Sequence, residues 1–327
     1  MKKTIGLFAA GALVLALSAC GGAAPAGSAG GAKSLDQLVV GFAQVGAESG
    51  WRTANTKDIQ AAFADAKIKL QFSDAQQKQE NQIKAIRSYI QQKVDYIAFS
   101  PVVQTGWDAV LNEAKAANIP VILTDRAVDS KDTSLYKTFL GSDFVLEGKK
   151  AGEWLVADAK GASAPVNVIQ LEGTTGSAPA IDRGTGFADA IKSDPNIKVV
   201  ASQTGDFTRA GGKQVAEALL KSHPEANVIF AQNDDMGLGA IEAIEAAGKV
   251  PGKDIKIITV DAVHDGMQAL VDGKINYIVE CNPLLGDQAA ALVKDVLAGK
   301  SVEKQTYGVD GAFDQAAATA ALPTRKY

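Results

Sequence analysis

From Leu38 to Leu297, short apolar runs alternate with patterns of helical period, predicting strands and helices in regular succession. Leu38 to Val45 reads as a buried strand, Trp51 to Phe63 as a helix and Lys67 to Phe72 as a second strand. Ile83, Ile86, Ile90 and Val94 recur at helical spacing before Tyr96 to Phe99 returns as strand, and Asp108 to Ala117 is helical before the strand at Pro120 to Thr124. Five strands complete one lobe if Lys137 to Leu140 supplies the last. The pattern then restarts: Glu147 to Ala159 helix, Val166 to Leu171 strand, Ala180 to Ile191 helix, Val199 to Gln203 strand. Ala210 to Lys221, Val228 to Ala231, Leu238 to Ala247, Ile255 to Val260, Asp265 to Asp272 and Tyr277 to Glu280 continue it, and Leu285 to Leu297 adds an amphipathic helix. Nearly continuous apolar strands alternating with helices require parallel sheets covered on both faces.

The amino terminus breaks this pattern. Met1-Lys2-Lys3 and the apolar run Ile5 to Leu17 form an export signal too short to span a bilayer. Leu17-Ser18-Ala19-Cys20 resembles a bacterial lipobox, so residues 1–19 are expected to be removed and Cys20 to carry lipid. Residues 20–35, nearly all Gly, Ala, Ser and Pro as far as Lys33, read as a flexible tether with a root-mean-square span of roughly 20 Å. The expected location is therefore extracytoplasmic, in the periplasm or at the outer face of the cytoplasmic membrane, with the membrane touched only through Cys20. Loss of Lys2 and Lys3 takes the formal charge from −4 to −6, which argues against nucleic acid as a partner. With Cys20 lipidated, Cys281 has no partner for an intramolecular disulfide.

Candidate chemistry gathers where strands give way to helices. Glu48-Ser49-Gly50-Trp51-Arg52 places a carboxylate, a hydroxyl, an aromatic plate and a cation on the first such turn, although Trp51 alone reads equally well as a core aromatic. Thr124-Asp125-Arg126, Ile181-Asp182-Arg183-Gly184, Gly205-Asp206-Phe207-Thr208-Arg209, Ala231-Gln232-Asn233-Asp234-Asp235-Met236 and Val260-Asp261 put further polar groups at other turns. A single Asp-Arg pair is most simply a surface ion pair; five such turns converging on the carboxyl ends of parallel strands point to a ligand site.

In their order, these segments resemble ribose-type periplasmic sugar-binding proteins of ABC importers, from about Leu38 to the end of the chain. Val45 to Arg52, Asp74 to Gln82, Ser100-Pro101-Val102-Val103, Gly106-Trp107 and Gly205 to Arg209 are most similar to galactofuranose-binding members. The resemblance implies two similar α/β lobes, each a parallel sheet with helices on both faces, joined by three crossovers near Leu140-Gly141, Cys281 and Val309-Asp310-Gly311. Residues 36–139 with 282–308 would form one lobe and residues 140–281 with 309–327 the other. It implies ligand contacts from Glu48, Ser49, Gly50, Trp51, Arg52, Asp125 and Arg126 in the first lobe and from Arg183, Phe207, Asn233 and Asp261 in the second. Ser100, Glu280 and Cys281 are secondary candidates, and Cys281 stands where the ribose binders have glutamine.

The residue types suit a sugar on chemical grounds as well. Hydroxyls donate and accept at once, so Asp125 and Asp261 can accept while Arg126, Arg183 and Asn233 donate. Trp51 and Phe207 offer faces to sugar C–H groups. The expected function is capture of a monosaccharide, galactofuranose or a related aldose, by hinge closure, and its delivery by a monomer to ABC permease subunits; presentation of the closed form to a chemoreceptor or kinase ectodomain is the alternative. Catalysis is not expected: Gly46 to Gly50 misses the nucleophile elbow, Gly205 to Lys213 fails the phosphate-loop spacing, Gly184-Thr185-Gly186 lacks the third dinucleotide glycine, and His223 and His264 lack metal-ligand partners. No cofactor and no metal is expected.

Overall fold

The computed structural model describes residues 33–161 and 164–327; the expected export signal, the expected lipidation site Cys20 and nearly all of the predicted tether lie outside the described residues. The first half of the chain runs β1 (Val39–Gln44), α1 (Gly50–Asp65), β2 (Lys69–Asp74), α2 (Gln79–Gln91), β3 (Tyr96–Phe99), α3 (Asp108–Ala116), β4 (Val121–Asp125) and β5 (Thr138–Gly141). The second runs α4 (Phe144–Asp158), β6 (Val166–Glu172), α5 (Ala178–Ile191), β7 (Ile197–Thr204), α6 (Arg209–Ser222), β8 (Val228–Ala231), α7 (Asp234–Ala246), β9 (Lys256–Asp261), α8 (His264–Val271) and β10 (Tyr277–Glu280). The chain closes with α9 (Gly286–Leu297), β11 (Gln305–Tyr307), β12 (Ala312–Phe313) and α10 (Gln315–Ala321).

Among the described residues, these strands make two six-stranded sheets, ordered β11-β5-β4-β3-β1-β2 and β12-β10-β9-β8-β6-β7. All pairings are parallel except β10 with β12. Each sheet is a lobe with an apolar cluster on either face, and the chain passes between the sheets after β5, after β10 and between β11 and β12. Leu140 and Gly141, assigned from sequence to the second lobe, pair within the first sheet. No helix of the described residues is long and apolar enough to cross a membrane.

Most predicted elements shift by only a few residues, and capping explains the larger shifts. The helix expected from Glu147 begins at Phe144 because the Asp143 side chain accepts from the Leu146 amide at 2.9 Å; the one expected from Leu238 begins at Asp234 because Asn233 accepts from the Met236 amide at 3.0 Å. Three elements have no counterpart in the sequence reading: β11, β12 and α10. The residues of β11 are all exposed and join β5 through backbone pairing and the Tyr307 ring edge-on to Phe139, while α10 buries only Ala318, so neither leaves an amphipathic trace.

The α4/α5 pair carries a side chain into the space between the lobes, and it does so by bringing two helix backbones into contact. A Cβ on Gly148 would stand 2.0 Å from the Arg183 carbonyl oxygen, and one on Gly186 would stand 2.0 Å from that of Val145. Only glycine permits this approach. Gly186→Ala should therefore cost about 1–3 kcal/mol of stability by overpacking, read from urea unfolding; a change within about 0.5 kcal/mol would show that the helices separate freely.

Candidate functional site

The carboxyl ends of both sheets face each other, and their loops flank a narrow cavity, about 290 Å³ of non-atom space with its open mouth included, lined by Glu48, Ser49, Trp51, Arg52, Asp125, Arg126, Pro179, Arg183, Phe207, Asn233, Asp261 and Cys281. The cavity sits at the strand ends because helix starts and tight turns bring polar groups there. Ser49 caps α1, accepting from the Arg52 amide at 3.1 Å, and Asn233 caps α7 while donating its side-chain amide to the Phe207 carbonyl at 3.0 Å. Asp125 occupies the centre of a three-residue turn, with φ +61° and the Arg126 amide donating to the Thr124 carbonyl at 2.6 Å. Phe207 also has positive φ (+61°), and its ring lies against Gly173, where a Cβ would come within 1.8 Å of it.

Three arginines organise the polar wall. Arg52 bonds Glu48 through Nε at 3.0 Å and pairs with Asp125 through Nη2 at 2.7 Å. Arg126 donates to the Val102 carbonyl at 3.2 Å, lies 3.8 Å from Glu48 and 3.6 Å from Asp125, and crosses the cleft to stack 5.3 Å from the Phe207 ring centre. Arg183 is held by Glu147 at 2.7 Å and the Gln232 carbonyl at 2.6 Å, over the Phe144 ring, with Nη2 3.8 Å from Asp261. Burial alone would raise the Asp125 carboxyl, but Arg52 and Arg126 hold it below its ordinary range. Asp261 goes the other way: burial lifts it well above that range, Arg183 opposes this, and the carboxylates of Asp234 and Glu147 add to the lift. Arg126 is brought down to about 10 by burial and by Arg52.

Four buried polar atoms of lining residues have no hydrogen-bond partner: Glu48 Oε2, Asp261 Oδ2, Arg52 Nη1 and Arg126 Nε. Two accept and two donate. Leaving such atoms unpaired costs roughly 1–3 kcal/mol each, so the wall is complementary to a small ligand whose groups both donate and accept.

Both lobes contribute, and they touch. Asp235, at the start of α7, accepts from the Gly50 amide at the start of α1 at 2.7 Å, and the Trp51 indole N–H donates to the Cys281 carbonyl at 2.6 Å. Trp51 is 5% exposed and belongs to the second lobe's apolar cluster although its helix belongs to the first. The two sequence readings of Trp51 therefore merge, since it is at once a cavity wall and a packed aromatic.

Of the residues singled out from sequence, Glu48, Ser49, Trp51, Arg52, Asp125, Arg126, Arg183, Phe207, Asn233, Asp261 and Cys281 come together around the cavity. Gly50 does not line it and spends its amide on Asp235. Ser100 lies behind the wall, its hydroxyl donating to Asp125 Oδ2 at 2.8 Å. Glu280 is turned away, accepting from Arg325 at 2.8 Å, the Tyr327 hydroxyl at 2.8 Å and the Gly311 amide at 2.8 Å. Pro179 and Glu147 were not anticipated. The Ser177-x-Pro179 helix start was a usable signal for the first; nothing local marks the second.

Residues 40–301 match the periplasmic binding protein domain, and the chain belongs to that family. It is 50% identical over 273 residues to the galactofuranose-binding protein YtfQ of Escherichia coli K12, covering 82% of this chain and 85% of the relative. It is 41% identical over 334 residues to the fructose import binding protein FruE of Bifidobacterium longum NCC 2705, covering 100% and 99%. A crystal structure from Mycobacterium smegmatis in complex with β-D-fucofuranose superposes with a TM-score of 0.87 at 66% identity, covering 89% of this chain and 95% of that one.

Glu147 provides a pH test. Burial raises its carboxyl from the ordinary 4.5 to about 7, with Arg183 opposing and Asp310 reinforcing the shift. Between these values the folded chain keeps a proton that the unfolded chain has lost, so this group's contribution to stability falls as pH rises through the window, by on the order of 3 kcal/mol. Relative to Glu147→Gln, the unsubstituted protein should lose urea resistance between pH 4.5 and pH 7; an equal difference at pH 4.5 and pH 8 would contradict the assignment.

Proposed function

We propose that this chain is the sugar-capturing component of an ABC importer, taking a monosaccharide between its lobes, closing about the crossovers and presenting the closed form to the permease. The observation that carries this reading is the set of four buried atoms of lining residues that lack a hydrogen bond, two donors and two acceptors, around a cavity also lined by Trp51 and Phe207. Sugar hydroxyls satisfy both kinds of atom and sugar C–H faces suit the rings. We assign Glu48, Ser49, Trp51, Arg52, Asp125, Arg126, Arg183, Phe207, Asn233 and Asp261 as ligand contacts, and Cys281 as an apolar wall. Lipid on Cys20 would hold the monomer at the membrane while the binding lobes remain outside the bilayer.

An aldofuranose is the ligand we favour. Galactofuranose and fucofuranose, named for two of the relatives, differ only at C6, so one ring-directed set of contacts serves both; fructose, named for the third, presents a different anomeric centre. Calorimetry of residues 34–327 against galactofuranose, fucofuranose, fructose, ribose and glucose should show tightest binding to the first two. Binding to none of the five would overturn the reading.

Two substitutions separate cavity from closure. Trp51→Ala should weaken sugar binding by roughly 30- to 1,000-fold, as for a buried aromatic anchor, and, because the ring also packs in the second lobe's apolar cluster, should cost roughly 3–5 kcal/mol of stability. A large loss of stability with little loss of affinity would make Trp51 a core residue only. Asp235→Ala, which removes the acceptor for the Gly50 amide without touching the cavity, should weaken binding by roughly 3- to 30-fold through the closed form alone; unchanged affinity would show that this contact does not favour closure.

A further inference from the structure

Asp234 lies outside the cavity lining, is fully buried, and stands on the first position of α7 next to the cap residue Asn233. Its carboxylate faces the turn that follows β9. Oδ2 accepts from the Val263 amide at 2.8 Å, and Oδ1 accepts from the Thr259 hydroxyl. That turn is unusual: Asp261 has φ +126° and Ala262 has φ +67°, two successive non-glycine residues in the region that side chains disfavour. Such backbone persists only when its surroundings over-determine it, and it concentrates where a side chain must be aimed. Here the aimed group is the Asp261 carboxylate, whose Oδ2 is one of the unpartnered acceptors in the cavity.

The turn is gripped on two sides. Arg325 Nε holds the Ala262 carbonyl at 2.7 Å, and Asp234 holds the amide edge. The turn at Asp125 in the first lobe is held differently: it closes on itself through the Arg126 amide, and the side chain is steadied by Ser100 and Arg52. Behind Asp234 the space is filled. A Cβ added at Gly266 on α8 would stand 2.3 Å from Asp234 Oδ2, so Gly266 leaves just enough room for the carboxylate to reach the amide edge.

We infer that Asp234 is a positioning residue for ligand binding: it holds the strained Asp261-Ala262 turn by its amide edge and so aims the Asp261 carboxylate into the cavity. The inference rests on the reading of the cavity as a sugar site, and it separates from that reading experimentally. Two variants perturb the grip independently. Asp234→Ala removes the acceptor; Gly266→Ala leaves all charges in place and displaces the acceptor by one methyl group.

With galactofuranose or fucofuranose as probe, each variant should bind at least roughly tenfold more weakly than the unsubstituted protein, although neither residue lines the cavity. Asp234→Asn, which keeps a carbonyl oxygen for the Val263 amide, should recover part of the loss. The crystal structure of unliganded Gly266→Ala, or of Asp234→Ala, should show the Asp261 carboxylate moved out of the cavity with its φ returned to negative values. Affinities equal to that of the unsubstituted protein in both variants would overturn the inference while leaving the sugar reading intact. An unmoved Asp261 with positive φ would overturn it even if no sugar bound.

Discussion

Burial of three arginines with their carboxyl partners between two sheets is the constraint on which the rest of this molecule depends. Arg52, Arg126 and Arg183 are each about 97% removed from solvent together with Glu48, Asp125, Glu147 and Asp261. Charges taken out of water cost several kcal/mol each unless paired and fully hydrogen-bonded, and this network is paired without being fully hydrogen-bonded. Glu48 Oε2, Asp261 Oδ2, Arg52 Nη1 and Arg126 Nε, all on cavity-lining residues, lack hydrogen bonds, as do Thr124 Oγ1 and Glu147 Oε1 behind them. A ligand that meets the first four gains from each at once. The same ligand bridges two lobes, because Glu48, Arg52 and Arg126 belong to the first and Asp261 to the second.

The frame around the network exists to hold it at fixed geometry. Helices α1 and α7 begin with caps, Ser49 and Asn233, so that their first turns start at the cavity edge. The glycines of α4 and α5 let two backbones touch, which sets Arg183 within reach of Glu147 on the neighbouring helix. Strained turns after β4 and β9 aim Asp125 and Asp261. Positional accuracy is thus drawn from the stable interiors of both sheets rather than from the loops themselves, which is how preorganised sites gain specificity.

Much of this was legible in the sequence because the information is local. Parallel strands buried on both faces write continuous apolar runs, so both sheets could be read from the sequence, and the gathering of Glu48 to Arg52, Asp125-Arg126, Arg183, Asn233 and Asp261 was legible from polar clusters at strand ends together with the family resemblance. What escaped depends on distance along the chain. Glu147 reaches Arg183 across 36 positions, through a helix contact that no periodicity reports. Glu280 stood at the right crossover, but its carboxylate is claimed by Arg325, 45 positions later. Strand β11 is exposed throughout, and what holds it, the backbone edge of β5 and the Phe139 ring against Tyr307, lies more than 160 positions earlier in the chain.

A crystal structure of the sugar complex tests the central claim most directly. The account predicts furanose hydroxyls within about 3.2 Å of Glu48 Oε2, Asp261 Oδ2, Arg52 Nη1 and Arg126 Nε, with the ring between Trp51 and Phe207. A sugar bound elsewhere, or seated in the cleft with those four atoms still unpartnered, would contradict it.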